Sequence, residues 1–128
     1  VISPATPHSA SKSILCVEDD EDTCDLLAVV LAEFEFRSER SVSSAIETIR
    51  HRRHDLYILD SWLPDGSGID VCLEIRRAHA DVPVIFTSAA ARLSDIDDGL
   101  RAGADRYLVK PLEPNMLRQI VKELIYRT

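Results

Sequence analysis

The sequence predicts an α/β domain: one parallel sheet of five strands with helices on both faces. Three observations predict it. Four short apolar runs each stop at a polar or charged residue, the pattern of strands buried on both faces. The stretches between them repeat apolar residues at helical spacing. No two strand-like runs follow one another in tandem, so the connections read as helical crossovers, which build a parallel sheet. The chain has 128 residues, one domain's worth.

In chain order, residues 1–12 hold two prolines and little apolar content and read as a flexible leader, with the folded domain over 13–128. Ser13-Ile14-Leu15-Cys16-Val17 is the first strand, stopped by the acidic run from Glu18 to Asp22. Leu26, Leu27, Val30, Leu31 and Phe34 make the first helical stripe. A weaker second strand falls within residues 36–41. Ala45, Ile46 and Ile49 follow as a helix, with Ser43 or Ser44 as its expected N-cap. Asp55-Leu56-Tyr57-Ile58-Leu59 is the third strand, ended by Asp60. Ile69, Cys72 and Leu73 mark a helix whose last turn, Arg76-Arg77, is basic as the dipole prefers. Pro83-Val84-Ile85-Phe86 is the fourth strand, ended by Thr87-Ser88. A helix carrying Leu93, Ile96 and Leu100 closes at Gly103. Arg106-Tyr107-Leu108-Val109 is the fifth strand, ended by Lys110-Pro111, and Leu117, Ile120, Val121, Leu124 and Ile125 form the last helix.

Composition removes several classes of function. No apolar run approaches the roughly 18–20 residues that span a bilayer. The net charge is -7, which argues against nucleic acid as a direct partner, since phosphate-backbone binding needs a basic surface. Arg50-His51-Arg52-Arg53-His54 reads as a solvated helix end rather than a nucleic-acid patch. Cys16, Cys24 and Cys72 are odd in number and lie in apolar segments, as reduced core cysteines of a cytoplasmic protein do. The histidines form no zinc-like spacing with them. The chain begins at Val1 and its one methionine is Met116, so it is expected to be a piece of something longer.

In an open parallel sheet, ligands sit beyond the carboxyl ends of the strands. That rule gathers Glu18, Asp19 and Asp20 after the first strand, Asp60 after the third, Thr87 and Ser88 after the fourth and Lys110 after the fifth. Crowded carboxylates raise one another's pKa, and a hard divalent cation such as Mg²⁺ relieves the conflict with oxygen ligands. A carboxylate in such a pocket can attack a phosphoryl group and form an acyl phosphate. The lysine, the hydroxyl and the cation would neutralise charge on the transferring group.

These residues resemble the receiver domain of two-component response regulators. The resemblance spans about residues 13–126. It rests on Ile14-Leu15-Cys16-Val17-Glu18-Asp19-Asp20, Asp60-Ser61-Trp62-Leu63-Pro64-Asp65-Gly66-Ser67-Gly68, Pro83-Val84-Ile85-Phe86-Thr87-Ser88-Ala89 and Ala102-Gly103-Ala104-Asp105-Arg106-Tyr107-Leu108-Val109-Lys110-Pro111. It implies a flavodoxin-like sheet of order 2-1-3-4-5. It implies Asp60 as phosphate acceptor, Thr87 as switch hydroxyl and Lys110 as phosphate-contacting lysine. It implies Mg²⁺ held by Glu18, Asp19, Asp60 and the backbone carbonyl of Trp62, with Asp19 the more direct ligand of the acidic pair. Tyr107 resembles the aromatic that follows the switch, and a cis Lys110-Pro111 bond is expected. Glu18 stands where Asp is commoner, and Arg106 where one large subgroup has a second acid. The implied donor is a histidine kinase or phosphotransfer protein. In the full-length protein the domain can precede an effector domain, stand alone or belong to a hybrid kinase, alternatives the sequence leaves open, and neither direct nucleic-acid nor membrane binding by this domain is expected. The domain would catalyse only its own phosphorylation and dephosphorylation and is not expected to be an enzyme of metabolism.

Three rivals share parts of the pattern. An aspartyl phosphatase would need an acid two residues after Asp60, where Trp62 stands. An FMN binder would need a phosphate cradle after the first strand, where the acidic run would repel phosphate. A pseudo-receiver, keeping the fold as a protein-binding module without phosphorylation, is the serious alternative.

Overall fold

The computed structural model describes residues 11–90 and 92–127. The strands are β1 Ser13–Val17, β2 Glu35–Glu39, β3 Leu56–Asp60, β4 Trp62–Leu63, β5 Gly66–Ser67, β6 Val84–Ser88 and β7 Arg106–Val109. The helices are α1 Glu21–Val30, α2 Val42–His51, α3 Gly68–Ala78, α4 Leu93–Ala102 and α5 Pro114–Ile125. Five strands form one sheet in the order β2-β1-β3-β6-β7, every neighbouring pair parallel. Counted without the short β4 and β5, this is the expected order 2-1-3-4-5.

Alternation along the central strands builds two cores. Leu15, Val17, Tyr57, Leu59 and Phe86 point to one face, where α2 and α3 supply Ala45, Ile49, Val71, Cys72 and Ile75. Ile14, Cys16, Ile58 and Ile85 point to the other, against Leu27 of α1 and Leu117, Val121 and Leu124 of α5. Because β1, β3 and β6 are covered on both sides, all their residues are buried. This explains their uninterrupted apolar runs. The edge strands β2 and β7 are partly exposed and read more weakly.

Several local expectations change. β4 and β5 form a short antiparallel hairpin, Trp62 opposite Ser67 and Leu63 opposite Gly66, although no tandem strands were expected. Two-residue strands leave no periodicity to read. Helix α1 stops at Val30, so Leu31 and Phe34 are buried from the following turn rather than from the helix, and Leu26 is exposed. The N-cap of α2 is Ser41, whose Oγ accepts from Ser44 N–H at 3.2 Å, not Ser43 or Ser44. Leu73 faces solvent and Val71 and Ile75 face the core. The apolar stripe of α4 is turned outward: Leu93 is 84% exposed, and the buried residue is Gly99. A Cβ there would lie 3.1 Å from the Tyr107 ring and 3.2 Å from Phe86, so α4 approaches the sheet through its glycine. Gly103, at φ 119°, caps its C-terminus in the left-handed region.

His54 departs from the solvated basic run, being 1% exposed. Its ring stands edge-on to Tyr57 at 5.7 Å, and neither ring nitrogen has a hydrogen-bond partner. The chain enters the core at this point, ahead of β3, although the run before it is polar. Cys16, Cys24 and Cys72 are free and buried, and Lys110-Pro111 is cis. Of the predicted leader, residues 1–10 lie outside the described residues. The Lys12 carbonyl accepts from Glu35 N–H at 2.8 Å, which ties that residue to the start of β2.

Candidate functional site

The carboxyl ends of β1, β3, β6 and β7 open on one pocket. Glu18 follows β1 directly, and its backbone N–H continues the pairing with β2 by donating to Glu39 O at 2.9 Å. Its side chain is buried. Oε1 accepts from Lys110 Nζ at 2.8 Å and Oε2 accepts from Asp20 N–H at 3.1 Å. Asp20 turns away to cap α1, accepting from Thr23 N–H at 2.9 Å and Thr23 Oγ1 at 2.6 Å. Those bonds to its charged form hold its pKa below the ordinary range. Of the acidic run, therefore, Glu18 and Asp19 face the pocket and Asp20 serves the helix.

Asp60 ends β3, buried, with Oδ1 3.5 Å from Lys110 Nζ. Ligand oxygens of Glu18, Asp19 and Asp60 all lie within 4.8 Å of one another. Burial, then the neighbouring Glu18 charge, pushes the Asp60 carboxyl up to about 6. The Lys110 charge and a hydrogen bond from the Trp62 backbone N–H oppose that rise. For Lys110, burial lowers the pKa, but the Glu18 hydrogen bond and the two carboxylate charges outweigh it, and the net shift is upward. The ammonium thus bridges two carboxylates that would otherwise repel.

Thr87 stands opposite Asp60 in the β3–β6 register and is buried. Its carbonyl accepts from Ser61 N–H at 3.0 Å, fixing the first residue of the loop after Asp60. That loop returns through Gly68, whose N–H donates to Ser61 O at 3.1 Å. A Cβ on Gly68 would overlap the Asp60 carbonyl, so only glycine permits this approach. Tyr107 stacks on Phe86 with centroids 6.2 Å apart, and its hydroxyl donates to Ala90 O at 3.1 Å. Beside it lies a cavity of ≈ 220 Å³ lined by residues including Trp62, Ile69, Phe86 and Tyr107. The Trp62 indole is 65% exposed at this rim.

The structure thus brings together Glu18, Asp19, Asp60 and Lys110, with Trp62 joined to Asp60 through its backbone and Thr87 beside it on the next strand. Two supports escaped the sequence reading. Asp65 accepts from the backbone N–H groups of Val42 and Ser43 at 2.7 and 3.0 Å. Arg76 donates to Gly103 O, Val82 O and His79 O and pairs with Asp105 at 3.3 Å. Both join segments more than 20 residues apart through exposed or half-buried charges, which no periodicity marks.

Fold and site together define a doubly wound α/β domain with an acidic, lysine-bridged pocket at the carboxyl edge of its sheet. The description of the family model matching residues 14–122 is "Response regulator receiver domain". The chain belongs to that family. It is 36% identical over 116 residues to the DNA-binding response regulator MtrA of Mycolicibacterium smegmatis, an alignment covering 89% of this chain and 50% of MtrA. To the response regulator protein PilR of Pseudomonas aeruginosa it is 36% identical over 109 residues, 84% of this chain and 24% of PilR. A solved two-component response regulator from Clostridium difficile superposes with TM-score 0.87 at 29% identity, covering 91% of this chain and 98% of that one. The chain therefore spans about half the length of MtrA and a quarter of PilR.

Proposed function

We propose that this domain is a phosphoacceptor switch: Asp60 takes a phosphoryl group from a histidine kinase or phosphotransfer protein, and the modified domain binds its partners differently. The observation that carries the reading is the convergence of Glu18, Asp19 and Asp60 within 4.8 Å of one another, with the Lys110 ammonium paired to Glu18 and Asp60. In the transfer, an Asp60 carboxylate oxygen attacks phosphorus, the phosphorus–nitrogen bond to the donor histidine breaks, and its electron pair returns to the imidazole. Lys110 neutralises charge on the phosphoryl oxygens, and Thr87 donates a hydrogen bond to one of them.

The donor set suits Mg²⁺. It consists of hard oxygens, and the Asp60 carboxyl, raised by burial first and then by the Glu18 charge, gains from a cation that offsets both. Glu18, Asp19, Asp60 and the Trp62 carbonyl would hold it. Bound there, Mg²⁺ would supply charge neutralisation for the attacking carboxylate and the phosphoryl group. The domain would promote only its own modification and loss of phosphate. An effector domain elsewhere in the full-length protein would read the state, the net charge of -7 disfavouring direct nucleic-acid binding by this domain.

The test is incubation with acetyl phosphate and Mg²⁺ followed by intact mass measurement. Wild type gains one phosphoryl group and Asp60→Asn gains none. A wild-type protein that stays unmodified and shows no Mg²⁺-dependent response to beryllofluoride would support the pseudo-receiver instead.

A further inference from the structure

The β4–β5 hairpin carries Trp62, whose N–H stabilises the Asp60 carboxylate and whose carbonyl is the one backbone ligand in the proposed Mg²⁺ set. Yet the hairpin has only two residues per strand, and so small a ladder is marginal by itself. Something must hold it. Leu63 packs into the core, and Ser67 N–H donates to Asp70 Oδ2 at 3.1 Å. Those contacts, with the Ser61 bonds to Thr87 O and Gly68 N–H, fix the base of the loop, one side chain and the far strand, and they leave the turn. At the turn, Asp65 places one carboxylate oxygen on Val42 N–H at 2.7 Å and the other on Ser43 N–H at 3.0 Å. Both donors are first-turn groups of α2 that lack intrahelical partners. Both bonds favour the charged carboxylate and lower its pKa although it is exposed.

We infer that Asp65 is a positioning residue for the metal loop: it clamps the hairpin turn to α2 and thereby sets where the Trp62 backbone stands relative to Asp60. The inference rests on the proposed Mg²⁺ reading, and it reaches beyond that reading because Asp65 touches neither metal nor phosphate. Ser41 provides an internal control. It caps the same helix through Ser44 N–H at 3.2 Å, and its hydrogen bonds among the described residues go to Ser43, Ser44 and Ala45, none to the hairpin. Loss of either cap weakens α2; only loss of Asp65 frees the turn.

The experiment compares wild type, Asp65→Ala, Asp65→Asn and Ser41→Ala. Trp62 is the single tryptophan of the chain, so its fluorescence reports Mg²⁺ titrations directly, and amide exchange at residues 62–67 is followed without metal. Asp65→Ala should weaken Mg²⁺ binding on the order of 10-fold, as loss of groups that orient metal ligands does, and should speed exchange in the hairpin. Asp65→Asn, keeping one acceptor, should fall between Asp65→Ala and wild type. Ser41→Ala should lower thermal stability and leave Mg²⁺ affinity and hairpin exchange as in wild type. Unchanged hairpin exchange and Mg²⁺ affinity in Asp65→Ala, or an equal loss in Ser41→Ala, would overturn the inference and leave Asp65 a helix cap. A wild type that binds no Mg²⁺ would instead sink the metal reading, and hairpin exchange would still decide whether Asp65 holds the turn.

Discussion

Replacing Asp60 by Asn should stabilise the metal-free protein, and by an amount that depends on pH in a predictable way. Asp60 has its carboxyl pushed from 3.8 to about 6, chiefly by burial and then by the Glu18 charge. At 1.36 kcal/mol per unit, a rise of that size corresponds to roughly 3 kcal/mol of destabilisation when the group is ionised. The pocket opens to water, which screens much of that penalty, and Lys110 keeps its 2.8 Å contact with Glu18 after the substitution. A net gain of about 1–2 kcal/mol is therefore expected, or about 3–8 °C in melting temperature for a domain of this size. The sign follows from proton counting. Below pH 3.8 both folded and unfolded Asp60 are protonated; between 3.8 and about 6 only the folded form keeps its proton; above that, both are ionised. The advantage of Asp60→Asn should be full above pH 6 and fade as pH falls toward 3.8. Thermal melts in EDTA at pH 7.5, 6, 5 and 4 measure it. A variant less stable than wild type at pH 7.5, or a difference that does not change with pH, would show that the Asp60 charge costs the fold nothing.

Other outcomes follow from the same structure. His54, buried without a partner, has its pKa lowered from 6.5 to about 4, by burial first and then by Arg52 and Arg37; its contribution is intact above pH 6.5 and lost as pH falls toward 4. His54→Phe should flatten that acid loss, which opposes the Asp60 trend over the same interval, and denaturant melts of the two variants separate the trends. Asp19→Ala should weaken Mg²⁺ binding measured by Trp62 fluorescence more than Glu18→Ala does, and should raise metal-free melting only slightly because Asp19 is exposed. Arg76→Ala should lower stability by about 2–4 kcal/mol, since it strips partners from the Gly103 and Val82 carbonyls and from Asp105. Trp62→Asn combined with Ala89→Glu should shorten the lifetime of the phosphorylated form by up to about 10²-fold, because polar groups can orient an attacking water that an indole and a methyl cannot; phosphate-release kinetics in Mg²⁺ check it.

What could be read in the sequence divides along physical lines. β1, β3 and β6 were legible because burial on both faces demands unbroken apolar runs, and their polar stops, the buried Glu18, Asp60 and Thr87, mark the carboxyl edge where the pocket lies. The site was legible for the same reason: parallel topology carries strand ends distant in sequence to one edge. Local geometry governed by single contacts was not. Asp20 differs from Asp19 only in which way it turns, toward Thr23. The stripe Leu93, Ile96 and Leu100 has ideal helical spacing, yet Gly99 lets α4 present that stripe outward. The hairpin is too short to leave a pattern, and His54 is buried behind a run of cations that gives no hint of it.

A switch of this design needs its acyl phosphate on one residue. Treating the acetyl-phosphate-modified protein with borohydride reduces an aspartyl phosphate to homoserine, and peptide mass spectrometry then locates it. Homoserine is expected at position 60 alone, dependent on Mg²⁺ and sharply reduced in Lys110→Ala, which removes the ammonium 3.5 Å from Asp60 Oδ1. Homoserine at another carboxylate, or a phosphoryl adduct that borohydride leaves untouched, would contradict the assignment to Asp60.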